Sequence, residues 1–424
     1  MVAAPLHKDT LGDVRDLLGT MNFQPGVVNP HNALVPFAEF GHLHFARFLV
    51  LEDRTLGDLA ATYNIQRPYP PAYLVFLGDF DGDYDEFVQD LAAAAGEGLR
   101  RVFSFCEGFQ PHTDVAAWMK AQEHRPSTYY CNWAGRTVAQ CREEARLRQL
   151  LETHLRSTPE LGDRPAREVY QELVKFAREN VSLTPPRATP LARRLRHALD
   201  VLALGALIVG GVVTLPLTII PLIVLALKLR TLETSDAEIA PPPDSDWLRH
   251  ISAIEDHDVT NQFSAIGSVK PGAFRRRLLT SILWIVNLTT HVIYTRGRLA
   301  RVHTIHFARW VFLDDKTRLF FASNYDGSLE SYMDDFINKV AFGLNAVFSN
   351  GIGYPRTDWL VLEGAKNEQL FKYFLRRHEV ATEVWYNAHA GLTAFDLERN
   401  SRIRQGMEES NLTDDQIEEW LRLL

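Results

Sequence analysis

Two stretches of the chain place an arginine three residues after a histidine. One reads His44-Phe45-Ala46-Arg47, and the other begins at His306 and ends at Arg309. A histidine and an arginine side by side could bind an anionic group or position a peroxide. In a regular strand the histidine and the arginine would point to opposite faces. Both copies keep the pattern, whereas a catalytic site usually needs only one. We therefore favour structural roles, with hydrogen-bonded core histidines and paired arginines.

An aspartate followed by a glycine recurs in the same way. Asp81-Gly82 and Asp326-Gly327 each follow a predicted strand. Such an aspartate usually accepts hydrogen bonds from turn N–H groups or caps the next helix. The functional alternative is a carboxylate placed for acid–base chemistry in a pocket.

A histidine that occurs in only one copy is the third candidate. The first copy reads Asn132-Trp133-Ala134-Gly135, and the second reads Asn387-Ala388-His389-Ala390-Gly391. A neutral imidazole at His389 could ligate iron if a carboxylate or carbonyl orients the ring. A single histidine is weak evidence for a ligand, and a core histidine is the alternative.

The similarity between the two stretches extends over about a hundred residues. Collinear matches include Leu51-Glu52-Asp53 with Leu313-Asp314-Asp315, Gly98-Leu99 with Gly343-Leu344, Gly108 with Gly353, Asn132 with Asn387, and Arg148-Gln149 with Arg404-Gln405. An internal repeat predicts two similar folded units. We expect them to pack about a pseudo-twofold axis, with any site near their junction.

The pattern of hydrophobic residues predicts the α+β class. Each copy shows four strands, two helices and a trailing helix, which suits helices covering one face of a four-stranded sheet. Two ferredoxin-like sheets facing each other would form a pseudo-twofold α/β barrel. The predicted divisions are an N-terminal helix and loop (1–41), repeat 1 (42–154), a helical connector (155–300), repeat 2 (301–409) and a C-terminal helix (410–424).

The connector contains a run that is apolar enough to enter a membrane. Residues 201–227 carry no charge, and basic residues flank the run on both sides. About 20 apolar residues cross a bilayer once, so two full crossings do not fit. One crossing would place the repeats on opposite sides of the membrane. Because Gly210-Gly211 and Pro216 lie near the middle, we predict a re-entrant hairpin. A buried helical hairpin and a single span are the alternatives.

A second apolar segment covers residues 278–295. Arg275-Arg276-Arg277 precedes it, and it contains Trp284 and Tyr294. Basic residues beside an apolar helix with interfacial aromatics suit a helix in the headgroup region. A core helix is the alternative. Together the segments predict a membrane-associated protein on the cytoplasmic face, with basic residues at both ends of the long run.

Composition and missing motifs exclude several classes. The net charge of -8 argues against a nucleic-acid binder. The three cysteines have no metal-site or redox-motif spacing, which indicates buried thiols in a reducing compartment. The chain lacks the phosphate-binding loop, the HExxH zinc motif, the GxSxG elbow and a Rossmann fingerprint. Nucleotide-dependent and serine-hydrolase chemistry are therefore disfavoured.

The duplicated unit resembles the dimeric α/β-barrel superfamily of ferredoxin-like domains, and within it, distantly, the dye-decolorizing peroxidases. Those enzymes carry a GxxDG motif, which Gly78-Asp79-Phe80-Asp81-Gly82 matches, although Ser323 replaces the first glycine in the second copy. The resemblance implies haem b. It implies His389 as the iron ligand, with His306 and His44 as further candidates. It also implies distal groups from Asp81 or Asp326 and from Arg309 or its counterpart Arg47.

Two functions follow as expectations. The first is a membrane-associated, haem-dependent, peroxidase-like oxidoreductase that acts on a lipophilic substrate, for which His389 or His306 would be indispensable. The second is a non-catalytic, membrane-anchored module that binds a lipid or a protein partner. The sequence leaves homo-oligomerisation open.

Overall fold

The computed structural model describes residues 1–185, 189–294, 299, 302–409 and 411–424. Its strands are β1 (Val2–Pro5), β2 (Asn22–Gln24), β3 (Val27–Val28), β4 (Leu43–Leu51), β5 (Tyr73–Phe80), β6 (Thr128–Cys131), β7 (Thr260–Ser268), β8 (Ile305–Leu313), β9 (Arg318–Asp326), β10 (Thr357–Asp358), β11 (Leu362–Glu363) and β12 (Val384–Asn387). Its α-helices are α1 (Leu11–Gly19), α2 (Gly57–Tyr63), α3 (Tyr84–Phe103), α4 (Val115–Ala121), α5 (Val138–Ser157), α6 (Ala166–Asn180), α7 (Leu191–Ser235), α8 (Ser245–Ser252), α9 (Ala273–Val292), α10 (Leu329–Lys339), α11 (Ala341–Phe348), α12 (Glu368–His378), α13 (Ala394–Glu408) and α14 (Asp414–Leu421).

Two antiparallel four-stranded sheets organise the chain and confirm the α+β class. Sheet 1 has the order β1-β5-β4-β12, and sheet 2 has the order β7-β9-β8-β6. Each sheet therefore takes three strands from one half of the chain and its last strand from the other half. β12 pairs with β4, and β6 pairs with β8. The first strands, β1 and β7, lie in ranges that the sequence patterns assigned to the N-terminal segment and to the connector.

The two sheets face each other, and helices cover their outer faces. α1, α3 and α4 lie over sheet 1, whereas α9 to α12 lie over sheet 2. Apolar residues from both sheets meet in the space between them, including Leu49, Leu77, Val311 and Phe320. Burial of such side chains contributes roughly 25 cal/mol for each Å² of apolar surface removed from water.

The two facing sheets do not close into the predicted barrel in the described residues. Beyond the four strands of each sheet, the edges make only isolated bridges, such as Val2 with Glu123 and Ala265 with Glu379. The exchanged strands β6 and β12 are four residues long, too short to continue both ladders around a barrel.

The predicted hairpin at 201–227 is also wrong, because α7 runs without reversal over 45 residues. Pro216 and Pro221 lie inside it. A proline removes one backbone N–H and kinks or weakens a helix, but transmembrane helices tolerate proline. The apolar stretch of α7 is exposed, and by length and composition alone the helix could cross a membrane.

The second apolar segment forms α9, which packs against the body of the protein. Leu279, Leu283 and Leu288 are buried in it, whereas Trp284 and Ile285 are exposed on it. α9 is therefore amphipathic, with one face that covers sheet 2.

Candidate functional site

The two repeated histidines lie at equivalent irregularities in their strands. The pairing of β4 with β5 shifts register between Leu43 and Phe45, and the pairing of β8 with β9 shifts between Ile305 and Phe307. His44 and His306 thus occupy β-bulges, in which one extra residue breaks the alternation of faces.

The bulge overturns the expectation that histidine and arginine point to opposite faces. The ring centroids of His44 and Phe45 lie 5.7 and 5.6 Å from that of Phe307, which belongs to the other sheet. Arg47 also reaches the other sheet, where it donates to the carbonyl oxygen of Phe263. The histidine and the arginine of each motif therefore both contribute to the space between the sheets.

Each aspartate connects its histidine to the start of a helix. Asp81 lies 3.1 Å from Nε2 of His44 through Oδ1, and its Oδ2 accepts from the N–H of Val138, the first residue of α5, at 2.8 Å. The second copy repeats this arrangement: Asp326 contacts Nε2 of His306 and accepts from the first N–H of α13 at 2.8 Å. A carboxylate at a helix N-terminus is stabilised by the unpaired N–H groups there.

His389 extends the first pair into a chain of three groups. Its Nε2 lies 2.9 Å from Nδ1 of His44. Because His44 faces a carboxylate through Nε2, we assign the Nε2 proton to that bond. Nδ1 of His44 then accepts from His389. Nδ1 of His389 is left as an unprotonated acceptor with no hydrogen-bond partner among the described residues, and Nδ1 of His306 is in the same situation.

Aromatic rings enclose these histidines. Trp133 lies edge-on to His306 at 4.6 Å and to His389 at 6.1 Å between centroids, and Phe45 contacts the same two rings at 5.5 and 5.8 Å. Burial lowers the pKa of His389 well below its usual value, and the nearby His44 and His306 lower it further. His389 is therefore neutral near pH 7.

Trp133 and His389 are structurally equivalent. The N–H of Asn132 donates to the carbonyl oxygen of His306, and the N–H of Ala388 donates to that of His44, both at 2.9 Å. Asn132 thus corresponds to Ala388, and the sequence pairing of Asn132 with Asn387 is wrong by one residue. The two repeats place a tryptophan and a histidine at one position, so the site is asymmetric there.

Arg47 and Arg309 form a separate polar layer that does not contact the histidines. Arg309 pairs with Asp79, and the amide of Asn324 donates to the other oxygen of Asp79 at 3.1 Å. Arg47 donates to the side chains of Asn324 and Ser264 and to backbone oxygens. Burial lowers the pKa of both guanidinium groups to about 9, and Arg47 adds to the shift of Arg309.

Sequence reasoning missed the central carboxylate of this layer. Asp79 lies inside the Gly78–Gly82 segment, at a position where the pattern tolerates any residue. Its equivalent on β9 is Asn324, because Phe45 pairs with Asp79 and Phe307 pairs with Asn324. Alternation along β5 places Asp79 and Leu77 on the same face. The sequence signal that could have identified Asp79 is a charged residue within an otherwise apolar strand, because a buried charge needs a partner.

A cleft of about 330 Å³ adjoins Asp81. Its polar lining comprises His42, Asp81, Asp83, Glu86, Asp90, Thr137, Gln140 and Thr184. The buried rings of His44 and His389 are not part of this lining. The carboxylate of Asp81 is thus the one member of the three-group chain that lines the cleft.

The geometry around His389 does not fit a porphyrin. His44, Phe45 and Trp133 lie 5.2 to 6.1 Å from its ring centroid, and His389 itself is 2% exposed. A haem ligand needs one side of its ring open to the macrocycle. The described residues also contain no group of three or more histidine, cysteine or acidic side chains that could hold a metal ion.

Comparison of the chain with protein-family models, curated proteins and solved structures gives no match.

Proposed function

We propose that the protein is a membrane-anchored binding module, held on the cytoplasmic face of a membrane by α7. The observation that carries this proposal is the exposure of α7: the most apolar 18 residues of the helix are 0% buried. Exposed apolar area of this extent costs free energy in water and marks a membrane or partner contact.

The rest of the molecule supports a binding role over catalysis. Both Asp–His pairs tie a strand bulge to the start of a helix, and both repeats keep the arrangement. That is the pattern of a structural link. In this proposal the body, which is the protein apart from α7, consists of two ferredoxin-like repeats that exchange their last strands. The surface of the body that lies near the membrane binds a lipid or a protein partner.

The test replaces exposed apolar side chains of α7 with charged ones. Val209→Asp, Val213→Asp and Ile220→Asp change positions that are 63%, 70% and 71% exposed, so folding of the body should persist. We expect the triple variant to move from the membrane pellet to the soluble fraction. Its far-ultraviolet circular dichroism spectrum should be unchanged, which would show that the protein is still folded. Phe23→Asp with Tyr69→Asp changes equally exposed apolar residues elsewhere and serves as the control. Continued pelleting of the triple variant after alkaline carbonate washing would overturn the proposal.

A second candidate, oxidation of a lipophilic substrate by a haem at His389, would require the rings of His44, Phe45 and Trp133 to move apart, since they leave no room for a porphyrin in this structure. The observation in its favour is Nδ1 of His389, a buried imidazole acceptor without a partner among the described residues. A ligating histidine usually donates its other ring N–H to an oriented acceptor, which His44 provides here. An absorbance spectrum with added haem tests it: a Soret band lost in His389→Ala would support it, and the absence of a band would end it.

A further inference from the structure

Both ends of the apolar helix α7 rest on the same helix of the body. Near its start, Asp200 lies 3.7 Å from Nδ1 of His291 in the last turn of α9. Near its end, Nζ of Lys228 lies 5.1 Å from the ring centroid of Phe274 in the first turn of α9. The residues that bound the uncharged run therefore meet opposite ends of one antiparallel neighbour.

The C-terminal end of α7 is fixed more firmly. Glu233 is 3% exposed and accepts from the N–H groups of Trp359 and Leu360 at 3.0 and 2.7 Å. Asp236, which directly follows the helix, accepts from Arg275 of α9 at 2.6 Å. A buried carboxylate held by several donors anchors this end rigidly to the body.

α9 is itself held against the sheets by hydrogen bonds and by its buried leucines. The hydroxyl of Thr128 in β6 donates to the carbonyl oxygen of Leu283 at 2.7 Å, and the hydroxyl of Thr290 donates to that of Tyr129 at 3.2 Å. A bilayer crossing by α7 would require its two ends to lie about 30 Å apart on opposite membrane surfaces. α9, together with sheet 2, would then have to lie within the hydrocarbon region, where the polar edge of that sheet has no partners.

We propose that α7 does not cross the membrane but lies along one leaflet, and that the surface formed by α7 and the exposed side of α9 binds an anionic lipid bilayer. This inference rests on the proposed function and specifies its partner. Trp284, Ile285 and Ile293 extend the apolar surface from α7 onto α9. The hydroxyls of Thr214 and Thr218 donate to carbonyl oxygens of their own helix, so they expose no unpaired donor to lipid.

Charge selects anionic lipid as the occupant. Arg193, Arg194 and Arg196 are exposed at the start of α7, and Lys228 and Arg277 are exposed at the opposite end of the surface. Basic residues beside an apolar segment bind acidic headgroups. Because basic residues lie at both ends of this surface, a second copy of the chain would bring cations toward one another in either the parallel or the antiparallel orientation, which disfavours a dimer as the occupant.

The first experiment counts accessible ends on each molecule. A variant with Leu195→Cys and Thr231→Cys, in a background without the three native cysteines, is bound to vesicles that contain phosphatidylglycerol and is treated with a membrane-impermeant maleimide. Both positions are exposed in the structure. We expect two labels or none on each molecule by intact-mass measurement. One label per molecule would show a crossing, whatever the mixture of orientations, and would overturn this inference while the membrane anchor stands.

Absence of vesicle binding is a different outcome and would overturn the proposed function itself. A dimer in detergent-free solution without vesicle binding would identify a second copy as the occupant.

The second experiment tests the charge. Arg193→Gln, Arg194→Gln and Arg196→Gln together should weaken binding to anionic vesicles about a hundredfold, since each basic residue near an acidic surface contributes roughly fivefold. Binding to neutral phosphatidylcholine vesicles should hardly change. Arg100→Gln, Arg101→Gln and Arg402→Gln remove three exposed arginines elsewhere and should leave both affinities unchanged. Equal loss on neutral and anionic vesicles would overturn the assignment of anionic lipid.

Discussion

Replacement of Asp79 by asparagine should strongly destabilise the protein. Asp79 is buried between the sheets, where it pairs with Arg309 and accepts from Asn324. Arg47 in the same layer binds neutral acceptors in the described part of the chain. Asp79→Asn would therefore leave two buried guanidinium groups facing amides and carbonyl oxygens. Breaking a buried ion pair on one side costs about 3–5 kcal/mol.

The pseudo-twofold axis offers a matched rescue. Asn324 is the structural equivalent of Asp79, and its Oδ1 already accepts from Arg47. The double swap Asp79→Asn with Asn324→Asp keeps one carboxylate and one amide in contact, but moves the negative charge from Arg309 to Arg47. We expect it to recover most of the lost free energy of unfolding.

Urea denaturation followed by circular dichroism, in one detergent for all variants, measures these differences. A single substitution that costs less than about 1 kcal/mol would refute the charge reasoning. A double variant no more stable than Asp79→Asn would show that the carboxylate is needed beside Arg309, and that a negative charge elsewhere in this layer does not suffice. Typical domains are stable by only 5–15 kcal/mol, so the predicted loss is large enough to measure.

Three further predictions concern packing and pH. Gly98→Ala in α3 should prevent normal folding, because its Cβ would lie 1.9 Å from the carbonyl oxygen of Leu34. The control is Gly96→Ala in the same helix, whose Cβ meets no backbone atom of another element within 4 Å. It should stabilise the protein by about 0.5–1 kcal/mol in thermal denaturation. Burial lowers the pKa of His389 in the folded chain, so the unfolded chain takes up this proton first and the free energy of unfolding falls as the pH drops below about 6.5. His389→Asn should reduce this fall by up to about 1.4 kcal/mol per pH unit. An unchanged dependence of stability on acidic pH would contradict the prediction. Burial raises the pKa of Cys106 from 9.0 to about 12, so the unfolded chain loses this proton first and the free energy of unfolding falls between these two pH values. Cys106→Ala should reduce the dependence of stability on pH by about 1.4 kcal/mol per pH unit in alkaline denaturation. An equal dependence in the variant would contradict the shifted pKa of the buried thiol.

The sequence predicted the elements that repeat and carry long hydrophobic patterns. The strands around His44 and His306 and the helices that follow Asp81 and Asp326 lie where periodicity placed them. The expected caps are wrong, because Asp83 and Ser328 cap these two helices, whereas Asp81 and Asp326 accept from the first N–H groups of α5 and α13. β1 escaped notice because four residues are too few for a pattern. The exchange of β6 and β12 between sheets was beyond prediction, since strand pairing over hundreds of residues leaves no local signal.

The candidate site was predicted only in part, for reasons that specific residues show. The pairing of each aspartate with a histidine depends on a β-bulge, and a bulge shifts side chains between faces without a clear mark in the sequence. Arg309 was expected beside Asp81 or Asp326. It pairs instead with Asp79, which lies on β5 two residues before Asp81. The hairpin prediction failed because glycine and proline permit a reversal but do not compel one, and an apolar run keeps its helical hydrogen bonds where nothing competes for them.

The strand exchange explains why the two halves could diverge at one position. β6 and β12 each end beside the histidine of the opposite half, so the second residue after each exchanged strand enters the shared cluster at the junction. Trp133 fills one such position, next to His306, and His389 fills the other, next to His44. A symmetric pair of histidines would have placed one more polar ring in a buried space, and a symmetric pair of tryptophans would have removed the acceptor Nδ1 of His389. The duplicated fold thus supplies two equivalent frames, each linked by an aspartate to a helix. The single difference between tryptophan and histidine confines the three-group chain to the half that opens on the cleft at Asp81.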